Sequence, residues 1–161
     1  MLQLPLFPVL PPPSKQVAKP EVQKLAWAAG FLDGEGCIHI AKCKRAGNLS
    51  QTYRLGVSVT QNDREALVYF QEAVGISAPI YATKRAANHR RQCYTLNYTG
   101  HAAKALLIKI KKYLKRKKKE AEVALEFWAN GLIGKPGNGR KLNPELIAAR
   151  EHYYILMRRL K

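Results

Sequence analysis

The chain has 161 residues and a hydrophobic fraction of 47%, enough for one compact domain with its own core. Its 28 Lys and Arg against 11 Asp and Glu give a formal net charge of +17, which attracts polyanions and ranks nucleic acid ahead of an anionic membrane surface. Cys37, Cys43 and Cys93 form no CxxC pair and leave an odd thiol. That pattern argues against a zinc or disulfide framework and suits a reducing intracellular compartment, organelle and microbial cytoplasm alike.

Residues 1–20 are set apart from a domain spanning 21–161. The run Leu-Pro-Leu-Phe-Pro-Val-Leu-Pro-Pro-Pro is broken by proline too often for a transmembrane helix or a signal-peptide core. Extended, polyproline-like chain is expected, either lying along the domain through Leu2, Leu4, Leu6, Phe7, Val9 and Leu10 or left as a disordered extension.

Val22 to Leu32 reads as a helix. Ala26, Ala29, Gly30 and Asp33 fall at i, i+3, i+4 and i+7, a stripe of small residues that lets a second helix come close. The helix then delivers Asp33 and Glu35 between Gly34 and Gly36, at an end that already carries partial negative charge. One reading is a divalent-metal site built on the two acids. The other is a helix cap in which Gly34 or Gly36 turns left-handed and the acids face water. Spacing alone leaves both open.

Two antiparallel strands are expected at Cys37 to Lys44 and Thr52 to Gln61, joined around Ala46-Gly47-Asn48. Ile38 and Ile40 face one way, with Cys37, His39, Ala41 and Cys43 opposite. Tyr53, Leu55, Val57 and Val59 turn inward and leave Thr52, Arg54, Gly56, Ser58 and Thr60 outward. Asn62-Asp63 caps a helix from Arg64 to Val74. A second strand pair follows at Pro79 to Arg85 and Arg90 to Tyr98. Ile80, Ala82, Tyr94 and Leu96 are expected inside, and Tyr81, Thr83, Arg85, Arg91, Cys93 and Thr95 outside. Lys84 to Arg91 forms a basic hairpin tip. His101 to Leu114 is expected as a helix, followed by the cationic run Lys115-Arg116-Lys117-Lys118-Lys119 and a helical pattern through Trp128. Asn130 to Pro144 reads as a Gly-rich loop, and Pro144 to Leu160 as a last helix.

Such a sheet can read DNA. A two-stranded ribbon fits the major groove, and alternate side chains reach base edges while their neighbours stay in the core. His39, Arg54, Ser58, Tyr81, Thr83, Arg85, Arg91 and Thr95 share the outward parity. Lys44, Arg45, His89 and Arg90 sit at the tips, where phosphate contacts are expected. An ordinary solvated sheet face would show the same periodicity.

Ala28-Ala29-Gly30-Phe31-Leu32-Asp33-Gly34-Glu35-Gly36 resembles the LAGLIDADG motif, and the order of elements from Val22 to Trp128 is similar to that of a single-motif LAGLIDADG homing endonuclease. The resemblance implies an α+β, αββαββα fold with a saddle-shaped antiparallel sheet whose outward face lies in the DNA major groove. With no second motif in the chain, it implies a homodimer joined through the helices bearing Ala26, Ala29 and Gly30. It further implies a Mg2+-dependent endonuclease that makes a double-strand break in a long pseudo-palindromic target.

In that scheme Glu35 and the Gly34 carbonyl hold the metal, Gln61 orders the attacking water, and Lys117 stabilises the reacting phosphate. Lys115 is one register shift away from the same role. Asp33 caps and ties the dimer helices, with metal binding as its second possible role. Two positions depart from the family pattern: Glu35 stands where Asp is commoner, and Glu65 where some members carry a basic residue, with Arg64 beside it. Two other readings of a basic LAGLIDADG-like chain are an intron RNA-splicing cofactor and a structural RNA-binding protein in which Asp-Gly-Glu-Gly is only a cap.

Overall fold

The computed structural model of the chain describes residues 19–44, 51–83, 91–131 and 143–161. Its elements run α1 (Pro20–Glu35), β1 (Gly36–Lys44), β2 (Gln51–Gln61), α2 (Arg64–Val74), β3 (Ile80–Ala82), β4 (Tyr94–Thr99), α3 (His101–Ile110), a 3-10 turn (Lys111–Tyr113), α4 (Lys118–Asn130) and α5 (Pro144–Arg159). The first seven follow the expected αββαββα order.

Proline opens α1 at its first turn, where a missing N–H costs nothing. The face that α1 buries is Leu25, Ala28, Ala29 and Leu32, again at i, i+3, i+4 and i+7. This corrects the expected stripe by one position. Ala29 is fully buried in its own core and is not part of a surface a partner helix can touch, whereas Ala26 and Gly30 are exposed. The small residues at 28 and 29 bring α1 close to its own neighbours, and larger apolar residues flank them. Beside them, Trp27 stacks on Phe31 at 5.0 Å between ring centres and meets Tyr69 of α2 edge-on at 4.6 Å.

The four strands form one antiparallel sheet in the order β1-β2-β4-β3. Ile38, Ile40, Tyr53, Leu55, Val57, Val59, Leu96 and Tyr98 are buried on the side that carries the helices, as strand alternation requires. Asp63 caps α2 by accepting the Glu65 N–H at 2.9 Å, and Gly75, at φ 65°, ends it in the left-handed conformation. β3 is shorter than expected, and Ala82 is exposed, not inward. It lies at the end of a three-residue edge strand that pairs with β4 alone. Residues 84–90, the expected basic tip, lie outside the described part, as do residues 1–18.

α5 closes the core over β1. Met157 is buried, and Arg150 donates from Nε to the Gly131 carbonyl at 2.9 Å. Lys42 pairs with Glu151 at 2.8 Å, and the Tyr53 hydroxyl bonds the same carboxylate. None of the described helices is long and apolar enough to cross a membrane.

Candidate active site

Neither expected glycine cap forms. α1 stays helical through Glu35, and Gly36 continues as extended chain at φ −94°, ψ 168°. Glycine is needed at 36 for space: a Cβ there would lie 2.2 Å from Leu32 Cδ1 and 2.8 Å from the Leu32 carbonyl oxygen. Asp33 and Glu35 therefore both sit in the last turn, at the negative end of the helix dipole.

Asp33 is neutralised within its own chain. Its carboxylate accepts backbone N–H groups from Lys115 at 2.7 Å, Arg116 at 3.2 Å and Lys117 at 2.9 Å. The Lys117 ammonium donates to the Asp33 carbonyl, and the Arg116 guanidinium lies 3.5 Å from it. Burial works to raise the Asp33 carboxyl, but the three N–H groups and Lys117 outweigh it and hold it below the usual carboxylate range. The tie expected between two dimer helices is, in this chain, a tie from α1 to the turn before α4.

That turn exists because the helix expected from His101 to Leu114 stops early. α3 ends at Ile110, the 3-10 turn follows, and Leu114 is extended at φ −64°, ψ 140° with its side chain buried. The next three amides are thus left without helical partners and converge on Asp33. Of the five consecutive cations, Lys117 alone is buried, at 8% exposure. Its ammonium is pulled below the ordinary lysine range by burial and then by Arg116, with Asp33 opposing.

A cleft of about 430 Å³ opens at this point, lined by Gly34, Glu35, Gly36, Cys37, Lys117 and Lys161 among others. Lys115 is exposed and does not line it. Glu35 is exposed, and among the described residues its carboxylate has no ion-pair partner. The described residues hold no group of three or more His, Cys, Asp or Glu able to bind a metal. Glu120 of α4 lines the cleft as well, and the exposed Glu35 carboxylate beside the Gly34 carbonyl fits a cation such as Mg2+, which keeps several waters and takes substrate phosphates as ligands. Gln61 stands at the end of β2, two residues beyond the Val59 that pairs with Gly36. Its Oε1 accepts the Asn62 N–H at 2.9 Å, and it does not line the cleft. Glu65 is exposed on α2.

The sheet face away from the helices begins at the cleft. Cys37, Ser58 and Asn97 form one row across three strands, and Thr60, Thr95 and Tyr81 another. Thr60 and Thr95 share a hydroxyl hydrogen bond at 2.9 Å. Arg54, Arg91 and Tyr81 are exposed, Tyr81 by 58%. Ser58 and Thr95 are half-buried. Thr83 is exposed, yet its hydroxyl donates to the Cys93 carbonyl at 2.6 Å. His39 lies over Gly56, where a Cβ would sit 2.5 Å from Nε2. Burial and then the Lys161 charge lower its pKa. Lys44 ends β1, with its side chain outside the described part, as are Arg45, Arg85, His89 and Arg90. Asn97 was not singled out from the sequence; strand alternation carried that signal. Nothing in the sequence pointed to Lys161, which reaches the cleft only through the packing of α5.

The sequence model of LAGLIDADG endonucleases matches residues 28–125, more than half of the chain. The chain belongs to that family. Among curated protein sequences none matches significantly. Solved structures share the family fold at low identity. The homing endonuclease I-CvuI, in complex with its target in the presence of calcium, is 21% identical, with a TM-score of 0.71 over 88% of this chain and 83% of that one. The archaeal intron-encoded homing endonuclease I-Vdi141I, complexed with DNA, is 20% identical, with a TM-score of 0.62 over 88% and 86%. I-GzeII, in complex with a DNA target, is 15% identical, with a TM-score of 0.57 over 83% of this chain and 43% of its own.

Proposed function

We propose that the chain is a site-specific DNA endonuclease that acts as a homodimer and cuts both strands of a long pseudo-palindromic site with the help of a divalent cation. The observation that carries this reading is the cleft shared by Glu35, Gly34 and Lys117 at the start of a sheet face that none of the described helices covers. The DNA in the I-CvuI and I-Vdi141I complexes supports duplex DNA as the partner. Glu35 and the Gly34 carbonyl would hold Mg2+, with DNA phosphates and water completing its shell. Bound there, the cation would supply Lewis-acid charge for the attack of water on phosphorus.

The protein's own groups do the rest. Asp33 fixes the turn that carries Lys117, so the ammonium is in place before DNA arrives and stabilises charge as it develops on the phosphate. Gln61 offers an amide that orients water. Ala26 and Gly30 form the open strip of α1 where a second α1 would pack, bringing one Glu35 from each protomer together. Arg54, Ser58, Arg91 and Thr95 read base edges, while His39, Tyr81 and Thr83 line the same surface. Free thiols at Cys37, Cys43 and Cys93 suit a reducing compartment.

The test is a target selected from a randomised duplex library, then cut by wild type and by Glu35→Gln in Mg2+. Glu35→Gln is expected to bind the target in Ca2+ as wild type does and to leave it uncut. Wild-type cutting by the Gln variant overturns the assignment of Glu35. A wild type that binds duplex DNA and never nicks it overturns the endonuclease reading.

A further inference from the structure

α5 ends at Arg159 beside the cleft, and the two residues that follow it enter the cleft. Leu160 and Lys161 line the cleft with Glu35 and Lys117. The Lys161 ammonium donates to Cys37 Sγ at 3.0 Å, two residues along β1 from Glu35 and on the uncovered side of the sheet. Of the other cations that line the cleft, Lys119 is exposed at the start of α4, and two are committed. Lys117 and Arg116 both point at the Asp33 carbonyl, where they offset the negative end of α1.

Lys161 differs. A thiol sulfur is a weak acceptor, an ammonium has three donors, and no carboxylate among the described residues pairs with it. Its field is felt on the sheet face, where burial first and then the Lys161 charge lower the His39 pKa. An exposed ammonium with spare donors, aimed into an open polar cleft, is matched by an oxygen-rich anion.

We propose that Lys161 is a second active-site cation, which binds the DNA phosphate at or next to the bond that is cut. The inference rests on the endonuclease reading for its catalytic part and on geometry alone for its phosphate contact. During cleavage a water oxygen bonds to phosphorus, the P–O bond to the sugar breaks, and the leaving oxygen takes up a proton. The phosphoryl oxygens gain negative charge on the way, and Lys161 meets it from beside Cys37 at the start of β1. The two cations thus come from two elements, α4's lead-in turn and the end of α5.

The experiment compares wild type, Lys161→Met and Lys161→Arg on the selected target. Single-turnover cleavage is measured in Mg2+, and equilibrium binding in Ca2+ over a salt series. Lys161→Met is expected to slow cleavage about 100-fold. It is also expected to flatten the salt dependence of binding by roughly 0.9 log units per log salt for each protomer. Lys161→Arg keeps the slope and most of the rate.

The His39 imidazole, followed by NMR, is expected to titrate at higher pH in Lys161→Met, and an unmoved His39 overturns the placement. Wild-type rate and slope in Lys161→Met, with Glu35→Gln inactive, overturn the proposal and leave the endonuclease reading standing. Should wild type cut no DNA, that reading falls and the salt slope decides alone. A lost contact upholds the phosphate role of Lys161, and an unchanged slope overturns it.

Discussion

Replacing Asp33 by Asn keeps the shape of the side chain and removes the charge that gathers the amides of Lys115, Arg116 and Lys117. One Asn oxygen can still accept from the amides 2.7 and 3.2 Å away from one carboxylate oxygen, but its NH2 then faces the Lys117 N–H that now sits 2.9 Å from the other. A hydrogen bond to a charged group contributes about 1.5–3 kcal/mol, and partial exposure of Asp33 places this loss near the low end, about 2 kcal/mol. For a chain of this length that is roughly a 4–8 °C drop in Tm.

The loss should also depend on pH in one direction. The folded carboxyl is held below its ordinary 3.8, so the stabilisation is complete above that value and disappears as pH falls through the lower folded value. Urea titrations of wild type and Asp33→Asn at pH 7, and then stepwise towards the lowest pH at which both fold, measure it. A difference under about 0.5 kcal/mol at pH 7, or one that persists undiminished in acid, refutes the clamp as described.

Gly36→Ala forces its new methyl against Leu32 and is expected to destabilise the fold by about 1–3 kcal/mol while displacing Glu35; an unchanged urea midpoint with unchanged cleavage would refute the steric role. A Cβ at Gly30 meets nothing within 4 Å in its own protomer, so with Gly30→Leu the fold should survive and dimerisation fail; a variant that still sediments as a dimer rules out α1 as the seam. Arg54→Ala should lower discrimination by about 1–3 kcal/mol at one base pair of each half-site. A cleavage profile over single-base variants that falls by one common factor removes Arg54 from base reading.

The sheet was legible because alternation is a local rule. Tyr53, Leu55, Val57 and Val59 are buried where a period of two puts them, and Asp63 caps α2 as an acid before a helical run does. The motif helix was half legible. Its length and its paired acids could be read, but Ala26–Gly30 and Ala28–Leu32 are both stripes of small and apolar residues, and only the position of the sheet decides which turns inward. The cap readings of Gly34 and Gly36 failed because α1 stays helical through Gly34 and Glu35 and the chain passes straight into β1 at Gly36, where glycine serves clearance from Leu32 instead. Lys117 could not be separated from its four cationic neighbours by composition; the break in helix at Leu114 separates them. Lys161 was invisible, since its partner Cys37 lies 124 residues away.

The Asp33 clamp spans 82 to 84 residues of chain. During synthesis, where N-terminal segments emerge first, the acids of the motif are made long before the amides and cations that hold them. Until residue 117 is out and docked, the end of α1 carries unbalanced negative charge, and Glu35 stands apart from Lys117. The corner where Glu35 meets Lys117 is therefore assembled incomplete, and is completed only after most of the residues that form the core have been made.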